Sequence, residues 1–160
     1  MSKPSVSIIM GSQSDWPIMQ SATIPLGELA VDFETQVVSA HRTPDRLFTF
    51  CEEAHERGID VIIAGAGGSA HLAGMAAAKT HLPVIAVPVP SKHFNGMDSL
   101  MSMVQMPKGV AVACQAVGAS GAYNAGLMAA QMLALKDEAL RQRLIDWRNS
   151  QTDGVPVEVE

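Results

Sequence analysis

Aromatic residues are scarce in this chain, at 4% of 160 residues against 48% hydrophobic residues overall. The core must therefore be built from Ala, Val, Ile, Leu and ten Met, side chains small enough for helix to approach sheet, and subunit to approach subunit, closely. Cysteine is nearly lacking as well. Cys51 and Cys114 stand far apart without a CxxC or a metal-ligand spacing, which argues against a disulfide framework and suits buried thiols in a reducing compartment. Neither falls at an expected strand end, so a thiolate nucleophile has no support. Lys and Arg form no run, net charge is -5 and the pI is near 5.5, so the electrostatic footprint of a nucleic-acid binder is missing. The opening "MSKPSVSIIMGS" has an apolar run far too short for a signal h-region or a membrane span and leads straight into turn residues. The expectation is a cytoplasmic protein with no nucleic-acid and no membrane partner. Its length suits one domain over residues 1–160.

What is present is an alternation. Five short runs rich in β-branched residues end in Gly or Ser: "VSIIMGS" (6–12), "FETQVVSA" (33–40), "VIIAGAGG" (61–68), "VIAVPVPS" (84–91) and "VAVACQAVG" (110–118). Segments of helical character separate them, which predicts an α/β protein with a mostly parallel five-stranded sheet between two helix layers. In the helix after the second run, Thr43 suits an N-cap, Pro44 the first helical position and Asp45 the positive helix start. Leu47, Phe50, Cys51 and Ala54 fall on one stripe, Gly58 stops the helix, and the second strand is expected to end at about Ala40. Other helices are expected from near Asp15, with Pro17 in the first turn, and over 72–80, 98–105, 120–135 and 137–149. "AGMAAAK" and "GLMAAQMLAL" are apolar on nearly every side, which reads as buried subunit contact. Residues 136–160 read as a C-terminal helix and a loose acidic tail.

In open α/β sheets ligands bind outside the carboxyl ends of the strands. Here those ends carry Gly11-Ser12-Gln13-Ser14-Asp15, Ser39-Ala40-His41-Arg42, Gly65 to His71, Pro88 to Ser91 and Gly118 to Gly121. Arg42 is a bidentate clamp for phosphate or carboxylate. His41 exchanges its proton near neutral pH. With the Ser12 loop they suggest a site for a small phosphorylated molecule on which a proton is moved; Asp15, which repels phosphate, suits sugar hydroxyls. "GAGGSA" matches the dinucleotide fingerprint only formally, since it follows the third strand and no acid stands some twenty residues on. It reads instead as a Gly-rich wall. His71 reads more readily as structural than catalytic, and His55, His81 and His93 join no cluster of metal-ligand spacing. No GxSxG elbow occurs.

"MGSQSDW", "VVSAHRTPDRL", "VIIAGAGGSAHLAGM", "LPVIAVPV", "GMDSLMSMVQMPKGVAVA" and "GAYNAGLMAAQ", in unbroken order over about residues 5–135, resemble the class I N5-carboxyaminoimidazole ribonucleotide mutases of bacterial purine biosynthesis. The resemblance implies a flavodoxin-like three-layer α/β/α sandwich, assembled as a homo-octamer with sites at subunit junctions. It implies an isomerase that moves a carboxylate from the exocyclic nitrogen of a ribonucleotide to ring carbon four, without metal, ATP or organic cofactor. It assigns the proton carrier to His41, the ribose phosphate to Ser12, Asp15 and Arg42, and the pocket lining to Ser39, Ala66 and Gly67. Arg42 favours class I, because the related class II enzymes, which take free carbon dioxide, typically carry Lys there. Ala73, Ser69 and Cys114-Gln115 depart from the usual pattern without removing a proposed site residue. A non-catalytic module of the same fold that holds a phosphorylated ligand is the alternative, since fold does not settle function.

Overall fold

The computed structural model describes residues 3–159. Its strands are β1 (Val6–Met10), β2 (Phe33–Val37), β3 (Val61–Gly67), β4 (Val84–Val89) and β5 (Ala113–Cys114). All neighbours pair in parallel, in the order β2-β1-β3-β4-β5. The chain starts inside the sheet, adds β2 on one side, then crosses back to place β3 on the other. This is the flavodoxin-like order, and its switch point lies between β1 and β3.

The helices are α1 (Trp16–Met19), α2 (Thr23–Glu28), α3 (Pro44–Glu53), α4 (Leu72–Lys79), α5 (Met97–Val104), α6 (Ala119–Leu133) and α7 (Glu138–Asp153). Strand side chains alternate between two apolar layers, as a period of two requires. Val6, Ile8, Met10, Val61, Ile63, Ile85 and Val87 pack with Met19, Leu26 and the alanines of α6. Ile9, Ile62, Ala64, Val84 and Ala86 face the other way, toward Leu47, Phe50, Leu72, Ala73, Ala76 and Met103. The central strands are buried on both faces, which is why they read as nearly continuous apolar runs.

The paucity of large side chains has its use at α6. A Cβ on Gly126 would lie 2.2 Å from the Ala22 carbonyl oxygen, so the absence of a side chain lets α6 touch the backbone just before α2, its neighbour in the same helix layer. Ala122, Ala125, Ala129 and Ala130 are fully buried within the chain itself. The apolarity of α6 is thus consumed by its own sheet and by α2, and does not by itself call for a subunit contact. Helix α7 docks on the same layer through Glu28, which accepts hydrogen bonds from Trp147 Nε1 (3.0 Å) and the Tyr123 hydroxyl (3.4 Å).

Four local expectations change. The segment after β1 is not one α-helix: it winds as a 3-10 turn Gln13–Asp15, α1, a second 3-10 turn Gln20–Ala22, and α2. Pro25, inside α2, has no N–H to continue an α ladder. Strand β2 stops at Val37 rather than Ala40, because Ser39 turns away to bond Thr43. Strand β5 shrinks to two residues: only Ala113 and Cys114 pair with β4, followed by single bonds from the Gln115 and Gly118 amides. Helix α3 matches closely; Leu47, Phe50, Cys51 and Ala54 are buried, and Gly58 has φ +101°. Helix α7 runs to Asp153, past the expected Asn149.

Candidate active site

Four strand ends open into one cavity of about 520 Å³. From β1 come Gly11, Ser12, Ser14 and Asp15; from β2 come Ser39, Ala40, His41 and Arg42; from β3 come Ala66, Gly67, Ser69, His71 and Leu72; from β4 come Pro90 and Ser91. All seven residues singled out in the sequence (Ser12, Asp15, Ser39, His41, Arg42, Ala66 and Gly67) line it.

The β1 end is a capping box. Ser12 Oγ accepts from the Ser14 amide (3.3 Å) and the Ser14 hydroxyl (2.9 Å), and Asp15 Oδ2 accepts from the Ser12 amide (3.1 Å). Cap and cavity wall are the same atoms, so the structural reading of this loop and the functional one coexist. Burial pushes the Asp15 carboxyl up, against the Ser12 amide and the Arg42 guanidinium, which favour the carboxylate.

At the β2 end, Thr43 does not cap α3 with its side chain. Its Oγ1 instead accepts from the Ser39 amide (3.0 Å) and donates to the Ser39 carbonyl (3.0 Å), while the Thr43 amide also reaches that carbonyl (2.9 Å). The three bonds close a tight loop with Ala40, His41 and Arg42 at its tip. Arg42 Nη2 donates to the Gly11 carbonyl (2.8 Å) and its Nε to Ser39 Oγ (3.2 Å). The guanidinium is held across the ends of β1 and β2 with donors to spare for an anion.

His41 Nε2 lies 2.7 Å from His71 Nδ1, with the two rings edge to face at 88°. Reading His71 as merely structural missed this pairing. A signal was available: the tripeptide Ser-Ala-His occurs after β2 (39–41) and again after β3 (69–71), the two strands that flank β1, so both loops open at the same end of the sheet and can reach toward each other across the end of β1. Ser14, Ser69 and Ser91 also line the cavity without having been singled out, since a serine in a βα turn looks the same whether or not it faces a ligand.

The cysteines stay outside the cavity. Cys114, contrary to expectation, does end a strand, but its thiol is half-buried beside its own Gln115 carbonyl and burial raises it. Burial pushes the Cys51 thiol to about 11. Both are therefore neutral near pH 7 and poor nucleophiles. Among the described residues, no group of three or more His, Cys, Asp or Glu is disposed to hold a metal ion, and no helix is long and apolar enough to cross a membrane.

A family model described as AIR carboxylase matches residues 5–154, a span holding every cavity residue. The chain belongs to the AIR carboxylase family. Among its relatives is an N5-carboxyaminoimidazole ribonucleotide mutase of Bacillus subtilis, 61% identical over 92% of this chain and 91% of that protein. Another protein of that name, from Escherichia coli K12, is 58% identical over 94% of this chain and 89% of its own. The crystal structure of Treponema denticola PurE superposes with a TM-score of 0.83 at 27% identity, covering 94% of this chain and 92% of that one. The AIR carboxylase match thus extends over the sheet, both helix layers and the cavity.

Proposed function

We infer that this chain is an N5-carboxyaminoimidazole ribonucleotide mutase of purine biosynthesis, an isomerase acting on a small ribonucleotide. The observation that carries the reading is the joint placement, in one cavity, of an anion clamp (Arg42 with the Ser12 loop) and a histidine pair (His41 with His71). In this reading the ribose phosphate rests against Ser12 and Arg42, Asp15 accepts from sugar hydroxyls, and the imidazole ring of the substrate lies along the Ala66-Gly67 backbone beside Ser39.

The mechanism follows from the chemistry of a carbamate. Protonated His41 gives its proton to the exocyclic nitrogen, the nitrogen–carbon bond breaks, and carbon dioxide leaves with the amine restored. Ring carbon four, enamine-like in this intermediate, attacks the trapped carbon dioxide and forms the new carbon–carbon bond. Neutral His41 then removes the proton from that carbon and returns to its starting state. Atoms and charge balance without metal, nucleotide triphosphate or organic cofactor. Imidazole suits both roles because its proton exchanges near neutral pH.

Carbon dioxide must not escape between the two steps, which calls for exclusion of water. In the single chain His41, Arg42, Ser69 and His71 are exposed, so a neighbouring subunit is proposed to close that side, in a cytoplasmic homo-octamer. Sedimentation velocity tests the assembly. An absorbance assay on two substrates tests the activity: fast conversion of the N-carboxylated ribonucleotide with poor use of the uncarboxylated one plus bicarbonate supports the mutase. The opposite preference would make it a carboxylase. His41→Asn should stay folded and lose turnover by about 10²-fold or more; retained turnover would remove His41 from the proton-carrying role.

A further inference from the structure

Helix α5 contributes no residue to the cavity, yet its first turns hold two of the cavity walls. The β3–β4 ladder ends at the Gly67–Val89 pair. One step further, the Ser99 hydroxyl, fully buried, accepts from the Gly68 amide (2.9 Å) and donates to the Val89 carbonyl (2.7 Å). It acts as an extra rung where the strands part. Ser102 Oγ donates chiefly to the Asp98 carbonyl of its own helix (2.7 Å) and lies 3.3 Å from the Gly68 carbonyl, so the firm tie of Gly68 to α5 is through its amide and Ser99. The second wall is tied by Asp98, whose Oδ1 accepts a short bond (2.5 Å) from Ser91 Oγ and another from the Ser99 amide (3.0 Å). The Ser91 hydroxyl holds the Asp98 carboxyl below its usual range.

Gly68 stands at φ +72° between Gly67 and Ser69, both of which line the cavity, and the His71 amide donates to the Ser69 carbonyl. The position of Gly68 therefore propagates through Ser69 to His71, and from His71 to His41. We propose that Ser99 is a positioning residue for the reaction: its hydroxyl fixes the gap between the β3 and β4 walls and, through Gly68, the placement of the histidine pair. This rests on the mutase reading for its activity readout. The phosphate clamp at β1 and β2 does not depend on it, so loss of the hydroxyl should disturb the chemical step and spare binding.

The test compares Ser99→Ala, Ser99→Thr and Gly68→Ala with the wild type in full-length protein, by steady-state kinetics and by NMR titration of the histidine ring protons. A Cβ at Gly68 meets open space, but its backbone is unfavourable for an L-residue, so Gly68→Ala shifts the same wall without entering the core. The expected result for Ser99→Ala and Gly68→Ala is kcat lower by roughly 10- to 100-fold with KM within about threefold, a changed titration of the His41 and His71 signals, and partial recovery in Ser99→Thr. Should Ser99→Ala fail to fold, Gly68→Ala decides. Unchanged kcat and unchanged histidine titration in the folded variants would overturn the proposal, as would a rise in KM at constant kcat. A wild type that converts neither ribonucleotide overturns the mutase reading instead, and the histidine titration then judges the role of Ser99 alone.

Discussion

His41 Nε2 and His71 Nδ1 face each other at 2.7 Å, from the loops that follow β2 and β3, the two strands flanking β1. Such a contact holds one proton: one nitrogen donates, the other accepts, and protonating both rings at these atoms would set two N–H groups against each other. Loss of the partner in His71→Leu should lower kcat by about 10-fold or more and change the acid limb of the kcat–pH profile. His71→Asn, which can still offer a polar atom near the same place, should recover part of both. An unaltered profile in His71→Leu would show that His41 works without its neighbour.

Thr43 supplies a second prediction. Its hydroxyl bonds both polar groups of Ser39, so the shape-matched Thr43→Val leaves the Ser39 N–H without this partner, while the Ser39 carbonyl keeps only its bond from the residue 43 amide. Stability should fall by about 1–2 kcal/mol, and both kcat and KM should worsen because His41 and Arg42 share the loop. Thr43→Ser, retaining the hydroxyl, should restore most of the loss. Urea unfolding and steady-state kinetics on the three proteins separate these effects.

Asp15 links function to pH. Burial raises its carboxyl, so the folded chain holds that proton more tightly than the unfolded chain does. Its contribution to stability is present in acid, below the unfolded value of 3.8, and is lost as pH rises through the folded value; above that the ionised group is a standing cost. Asp15→Asn should therefore gain stability near pH 7, with no gain at the acid end, while nucleotide binding weakens. Thermal melts at several pH values give the stability, and calorimetric titration the binding.

Gly126→Ala should be damaging despite a gain of about 1 kcal/mol in helix propensity. The new methyl would fall 2.2 Å from the Ala22 carbonyl oxygen and 2.9 Å from the Pro25 ring. A net loss of about 1–3 kcal/mol is expected from the forced separation of α6 and α2. Denaturant melts should show a lower midpoint at constant slope, with KM unchanged in the folded enzyme.

The fold was legible because burial on both faces leaves an unmistakable trace: β1, β3 and β4 are nearly continuous apolar runs, broken in β1 only by Ser7. The edge strands misled at their ends, since Ser39, Ala40 and the residues around Cys114 look like strand while side-chain bonds and loop closure decide their course. At the site, Arg42 and His41 were visible because few residue types do their work. His71 was discounted because its value lies in a partner thirty positions away, and distance in space has no sign in a single residue. Ser99 was invisible for the same reason: a buried serine announces itself only when its neighbours are known.

The placement of the functional groups at the ends of three strands, β1, β2 and β3, has one more meaning. Parallel strands lie about 4.8 Å apart, and the sheet is the least deformable object in the molecule. It serves as a ruler on which the phosphate clamp, held at β1 and β2, and the proton-handling pair, held at β2 and β3, are marked off at fixed graduations. Loop substitutions can exchange one chemical group for another at a mark. The intervals between marks belong to the sheet, so the reach from phosphate to reacting ring is conserved by architecture even while the chemistry at either end drifts.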